Sequence, residues 1–262
     1  MSREILAHFS SCDPVMAALA GAVGPYAPET DDCHPFQALA QAIAHQQLNG
    51  IAANTILKRL VAAYGAGPFP SPQWILDTPA ERLRAAGFSG AKVAALKDLA
   101  AQTLTAVVPE RAALLDLPDE AIIERLTQVR GIGRWTVEML LIFRLGRPDV
   151  LPVDDFGVRA GFRAAYGLKS LPHPKALAAW GERWKPYRSA AAWYLWRALE
   201  LKRAGKLPAP AERIRLPRVK RRRRKAAAVA RKRRVKRVPG ARRAKRAGAR
   251  RVRRGRVRAA RK

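Results

Sequence analysis

Two adjacent carboxylates, Asp154 and Asp155, stand about twenty positions after a glycine turn, Gly131-Ile132-Gly133, in the stretch LTQVRGIGRWTVEMLLIFRLGRPDVLPVDDF. A carboxylate can act as a general acid or base, or stabilise positive charge that develops in a transition state. The turn offers something different. Glycines let the backbone bend sharply and let another backbone approach closely. A helix that opens just after them, near Arg134, presents unpaired amides and the positive end of its dipole, which suits a phosphate. Gly131, Ile132, Gly133, Arg134 and Thr136 are therefore candidate contacts to a phosphodiester backbone, gripped without regard to base sequence. A backbone grip beside a carboxylate points to chemistry on DNA. An Asp placed directly before an apolar helical run is also a common N-cap, so capping and catalysis compete for both acids.

The charge distribution agrees with a polyanionic partner. The chain has 262 residues and a formal net charge of +31. Residues 217–262 hold 25 of the 51 Lys and Arg and none of the 20 Asp and Glu, which leaves 26 basic against 20 acidic residues, a net +6, for the rest. That segment has Ala and Val but no aromatic residue, so it cannot bury enough apolar surface to offset its ordering entropy and self-repulsion. The expectation is a domain over residues 1–212 and a disordered basic tail over 213–262, whose texture is similar to that of linker-histone and bacterial histone-like tails. No apolar run is long enough to span a bilayer and no signal-peptide pattern opens the chain, which predicts a cytoplasmic, nucleoid-associated protein without membrane partners. Cys12 and Cys33 form no CxxC pair, which argues against a zinc or iron-sulfur site and against a disulfide framework.

The elements that must carry the turn and the acids read as helices. Apolar residues fall near helical spacing over 36–64 after Pro35, and Thr78-Pro79 and Ser89-Gly90 read as helix starts beyond a proline-rich break at 68–72. Helices over 119–128 and 134–145 flank the turn, another spans 155–166, and the last run from His173 to Leu201. No alternating β-branched run appears in the first 216 residues, so the fold class is all-α: about eight to ten helices by ordinary helix length, in two lobes with a cleft between them.

With those segments in place, VRGIGRWTVEMLLIF and LPVDDFGVR resemble the helix-hairpin-helix DNA glycosylase superfamily, in particular its 3-methyladenine DNA glycosylase II, or AlkA-like, branch. PFQALAQAIAHQQL, LRAAGFSGAKVAALKDLA and RWKPYRSAAAWYLW extend the likeness over roughly residues 30 to 200, in the manner of the shorter members that lack an N-terminal β domain. The resemblance implies a catalytic role for Asp155, with Asp154 capping or positioning. It singles out Trp135 and Trp196 as pocket walls, with Trp196 the stacking surface, and Tyr187 and Tyr194 as secondary candidates. It places the wedge that fills the gap left by a flipped base at Gln46, Gln47 and Leu48, with Gln47 as the plug.

The implied reaction is hydrolysis of the N-glycosidic bond of an alkylated purine such as 3-methyladenine or 7-methylguanine, leaving an abasic site. A carboxylate suits the oxocarbenium character of that transition state, and electron-rich rings suit a cationic base. Trp135, Trp180, Trp184, Tyr187, Trp193, Tyr194 and Trp196 supply such rings near the acids or just after them. Glycosylases of the wider superfamily that also cut the strand place a Lys where this chain has Trp135, so no lyase step is implied. The expected partner is double-stranded DNA bound by a monomer, with no metal or redox cofactor beyond a monovalent cation held by hairpin carbonyls. Two other readings are open to the sequence: a glycosylase for uracil, hypoxanthine or ethenoadenine, and a non-catalytic DNA-compacting protein. For the tail, removal of residues 217–262 is expected to weaken DNA binding and flatten its salt dependence while sparing the chemical step at saturating substrate. Dissociation constants measured across a salt series, with single-turnover rates alongside, check this.

Overall fold

The computed structural model describes residues 2–29, 32–211 and 214–216; the expected tail over 213–262 otherwise lies outside the described residues. Proline and small polar residues set where most of the helices begin. Helix α1 (Ser2–Cys12) leads into α2 (Pro14–Val23), which starts at Pro14 under an Asp13 cap. Next come α3 (Pro35–His45) and α4 (Gly50–Tyr64), the second capped by Asn49, whose Oδ1 accepts from the Ala52 amide at 2.9 Å. Three helices follow: α5 (Pro72–Asp77), α6 (Ala80–Ala85) and α7 (Gly90–Leu104). Beyond them lie α8 (Arg111–Leu115), α9 (Asp119–Leu126) and α10 (Arg134–Phe143). The chain closes with α11 (Phe156–Ala165), α12 (Pro174–Gly181), a 3₁₀ turn over Glu182–Trp184, and α13 (Arg188–Arg203).

These helices pack around two apolar cores, as the two-lobed, all-α expectation requires. One is built from α3 to α10 around Leu39, Ile43, Leu96, Leu99, Ile122 and Leu141. The other joins α1 and α2 to α11–α13 around Phe9, Met16, Phe162, Trp184 and Leu195. Trp196 and Phe143 touch both. Thirteen α-helices occur among the described residues, more than the eight to ten expected. The excess lies partly in α1 and α2, whose start the sequence reading left unassigned, and partly in short helices: α5 and α6 have six residues each and α8 has five. The proline-rich break hides the start of α5, because Pro72 sits at its first turn and Ser71 Oγ accepts from the Trp74 amide at 3.2 Å. Ile214 and Leu216 pack against the second core, so ordered packing continues past residue 212.

The second lobe is clasped by one buried carboxylate. Asp13 is fully buried, caps α2 through Oδ1 to the Met16 amide at 3.1 Å, and accepts through Oδ2 from Tyr166 Oη at 2.7 Å, Trp184 Nε1 at 2.9 Å and Trp180 Nε1 at 3.1 Å. The Arg183 guanidinium lies over the Trp180 ring, 3.6 Å from its centroid. Burial, together with the neighbouring Asp13 charge, pushes the Tyr166 phenol well above its ordinary value, so it stays a donor.

A second polar lock joins α9 to α10 across the glycine turn. Arg134 Nη1 and Nη2 reach Glu120 at 2.7 and 2.9 Å in a bidentate pair, while its Nε donates to Glu138 Oε1 at 3.0 Å. Burial pushes the Glu138 carboxyl up to about 7, more than Arg134 pulls it down, and the charge of Asp154 adds to the rise.

Asp13→Ala is expected to strand four buried donors and cost about 3 kcal/mol or more, a fall in Tm of roughly 6–12 °C for a domain of this size; thermal and urea unfolding measure both. Glu138 holds its proton more tightly folded than unfolded, so its contribution to stability is complete below about pH 4.5 and is lost as pH rises through about 7. Between pH 5 and 7.5, Glu138→Gln should therefore gain on the wild type by up to about 3 kcal/mol, read from urea unfolding across that range.

Candidate active site

A cavity of about 790 Å³ opens between the lobes. Its first wall is one face of α3, where Ala38, Gln41, Ala42 and His45 recur at helical spacing and the two alanines leave room. Its second wall is the matching face of α10, with Thr136, Met139, Leu140 and Phe143. Helix α13 closes it with Trp193, Trp196 and Arg197. The Phe143 and Trp196 rings lie 5.7 Å apart and 31° from parallel, an electron-rich surface turned to the cavity.

Asp155 sits behind Trp196. Its Oδ1 accepts from Trp196 Nε1 at 2.9 Å and from the Val158 amide at 2.6 Å, which caps α11; its Oδ2 accepts from Trp135 Nε1 at 2.7 Å. Two indoles from different helices and a helix N-terminus thus hold the carboxylate in one orientation. The close approach of α11 to α13 makes this arrangement possible. A Cβ on Gly161 would lie 1.8 Å from the Leu195 carbonyl oxygen, and one on Gly157 would lie 2.7 Å from Trp196 Cδ1 and 3.1 Å from Asp155 Oδ1. Both glycines were missed in the sequence. The available signal was their spacing of four within a helical run, a costly choice unless one helix face must meet another backbone.

The cap of α11 falls to Asp155, where the expectation gave capping to Asp154. Asp155 carries the cap as well as the two indoles, whereas Asp154 is exposed and influences Glu138 only through its charge. Trp196 lines the cavity. Trp135 does not: it is 49% exposed and flanks Asp155 on the outside. Tyr194 is a core residue, 2% exposed, with its hydroxyl on the Gly24 carbonyl at 3.0 Å, and Tyr187 packs edge-on to His8 with centroids 5.4 Å apart. Neither tyrosine lines the cavity; Tyr187 precedes α13, and around Tyr194 the helix turns Trp193 and Trp196 there instead. Trp180 and Trp184 are likewise core residues, committed to Asp13.

At the glycine turn, only Gly131 has a positive φ, +80°, and its missing Cβ spares Ala95 Cβ, which would stand 3.2 Å away. Gly133 is extended and has open space around it; its part is to leave the start of α10 without a side-chain cap, so that the first amides face outward. Ile132 is buried and anchors the turn in the first core. Thr136 is buried and lines the cavity. The Arg134 side chain is taken by Glu120 and Glu138, and its backbone stands at the open start of α10. Two carbonyls of the turn accept hydrogen bonds within the fold: Val129 O from the Ile132 amide at 3.1 Å and Gly131 O from Gln46 Nε2 at 2.8 Å. Among the described residues no cluster of His, Cys, Asp and Glu is arranged to hold a metal ion. Gln47 and Leu48 are exposed in the turn between α3 and α4.

The family model of the HhH-GPD superfamily of base excision DNA repair proteins matches residues 40–186. The chain is 42% identical over 196 residues to DNA-3-methyladenine glycosylase 1 of Schizosaccharomyces pombe, covering 74% of this chain and 86% of that protein. It is 33% identical over 200 residues to the alkylbase DNA glycosidase-like protein mag2 of the same yeast, covering 76% and 94%. The solved structure of the Schizosaccharomyces pombe 3-methyladenine DNA glycosylase in complex with abasic DNA superposes with a TM-score of 0.68 at 41% identity, over 74% of this chain and 95% of that one. The DNA-3-methyladenine glycosidase of Bacillus halodurans does so with a TM-score of 0.69 at 31% identity, over 75% and 89%. Matched over more than half its length by the family model and over most of it by these relatives, the chain belongs to the HhH-GPD superfamily of base excision DNA repair proteins.

Proposed function

We propose that this chain is a monofunctional DNA glycosylase that takes an alkylated purine, 3-methyladenine or 7-methylguanine, out of duplex DNA and hydrolyses its N-glycosidic bond. The observation that carries the reading is the Asp155 carboxylate, clasped by Trp135 and Trp196 beside an aromatic-walled cavity of about 790 Å³. The names of two relatives, a DNA-3-methyladenine glycosylase and an alkylbase DNA glycosidase-like protein, agree with it.

A base within a duplex cannot reach the cavity, so the nucleotide must be extruded. The hairpin backbone and the open end of α10 suit the flanking phosphates, and the turn at Gln47 and Leu48 suits the vacated stack. A methylated purine carries positive charge, which favours the Phe143 and Trp196 ring faces. As the bond from the sugar C1′ to the base nitrogen breaks, its electron pair leaves with the base and neutralises that charge. The sugar takes on oxocarbenium character, which the Asp155 anion stabilises. Water then adds its oxygen to C1′ and gives up one proton, with Asp155 orienting it or taking that proton. Trp135 offers no amine to the sugar, so the product is an intact strand with an abasic site.

Hydrolysis consumes only water, and the enzyme works without a redox cofactor. A monovalent ion at the hairpin would support the phosphate grip and take no part in bond cleavage. The chain acts as a monomer on double-stranded DNA in the cytoplasm, at the nucleoid. Among the described residues no helix is long and apolar enough to cross a membrane.

A panel of duplexes, each with one modified base, tests the reading when scored for free base and for strand breaks. Free 3-methyladenine and 7-methylguanine should appear, and strand breaks only after alkali. Breaks without alkali would contradict the monofunctional assignment, and release confined to uracil, hypoxanthine or ethenoadenine would contradict the alkylpurine assignment. Asp155→Asn should slow release by at least about 10²-fold with little change in affinity for undamaged duplex.

A further inference from the structure

Gln46 stands in the plug turn, yet its side chain is directed across the fold. Its Nε2 donates to the Gly131 carbonyl at 2.8 Å, across 85 residues of sequence. The next residue, Gln47, has φ +59°, a left-handed backbone that a non-glycine residue keeps only where its surroundings hold it. Leu48 follows, its amide returning to the His45 carbonyl at 3.2 Å, and Ile51, one helical turn on, is 83% exposed.

Helix α7 holds the chain next to each partner of this bond. Lys92 Nζ donates to the Ala44 carbonyl at the end of α3 at 2.8 Å, and Asp98 Oδ2 accepts from the Arg130 amide at 2.7 Å, one residue before Gly131. The turn and the hairpin are thereby tied to one helix and then to each other. Such a closed loop of hydrogen bonds sets the distance between the residues facing the vacated base stack and the amides facing the phosphate.

We infer that Gln46 is a positioning residue, which couples the plug turn to the hairpin so that flipping and phosphate grip occur in one fixed register. It acts through Gly131 and does not itself fill the duplex; the inference rests on the glycosylase reading above. The tether is present in the protein without DNA, so its loss is visible without DNA. A group that merely contacts the duplex gives no such signal.

The test uses the full-length chain and Gln46→Met, which keeps the length of the side chain and removes the donor. Amide hydrogen exchange in the free protein should speed up severalfold in both the 46–51 and the 129–134 segments. Single-turnover release of 7-methylguanine should slow by about three- to tenfold, the scale of one neutral hydrogen bond. Affinity for a duplex holding a tetrahydrofuran abasic-site analogue should fall by a similar factor, and affinity for undamaged duplex by less than about twofold, since the phosphate contacts remain. Slower release with unchanged exchange at 129–134 would overturn the inference in favour of direct contact with DNA. Faster exchange with an unchanged rate would reduce the bond to a structural one and overturn it equally. A wild-type chain that releases no base would instead count against the glycosylase reading, independently of Gln46.

Discussion

The hydrogen bonds from two indoles to one carboxylate tie together three helices that are far apart in the chain. Trp135 belongs to the helix after the hairpin, Trp196 to the last long helix, and Asp155 to the start of the helix between them in sequence. Satisfying all three at once fixes the hairpin, the Asp155 carboxylate and the cavity wall relative to one another. A carboxylate that must stabilise charge in a transition state gains from dipoles already in place, because none has to reorganise as the charge develops.

That arrangement asks for unusual closeness elsewhere. Helices α11 and α13 approach so nearly that Gly161 has the Leu195 carbonyl where its side chain would be, and Gly157 makes space for the Trp196 indole. The two glycines weaken α11 as an isolated helix and are offset by the packing they allow, which includes the stacked pair Phe162 and Tyr166, 4.1 Å between centroids. Asp13 steadies the same lobe from the far side by gathering Tyr166, Trp180 and Trp184, so indoles that could have served the cavity serve the core.

Features whose physics is local were legible in the sequence. The starts of α3, α7 and α10, the sharp turn at Gly131 and the capping competence of an Asp before α11 all follow from residues within a few positions of one another. What stayed hidden depends on distant partners. Nothing near Arg134 shows that Glu120 would claim it, and nothing near Tyr194 shows that its hydroxyl would find Gly24. Asp13 resembles any other N-cap until residues more than 150 positions away close over it. The share of the cap that falls to Asp155 rather than Asp154 is likewise decided by where α11 begins, one residue finer than a helical pattern resolves.

The two lobes also differ in how their segments are drawn from the chain. The lobe of α3 to α10 is made from consecutive residues, whereas the other needs α1 and α2 to wait for α11–α13, with Asp13 meeting Trp184 across 171 positions. During synthesis on a ribosome the contiguous lobe can therefore condense while its companion is still unfinished, and contacts of such long loop closure come last. Because Asp155 and Trp196 lie on the late side of that order, the nascent polypeptide brings this carboxylate and its indole together only after nearly the whole globule has emerged.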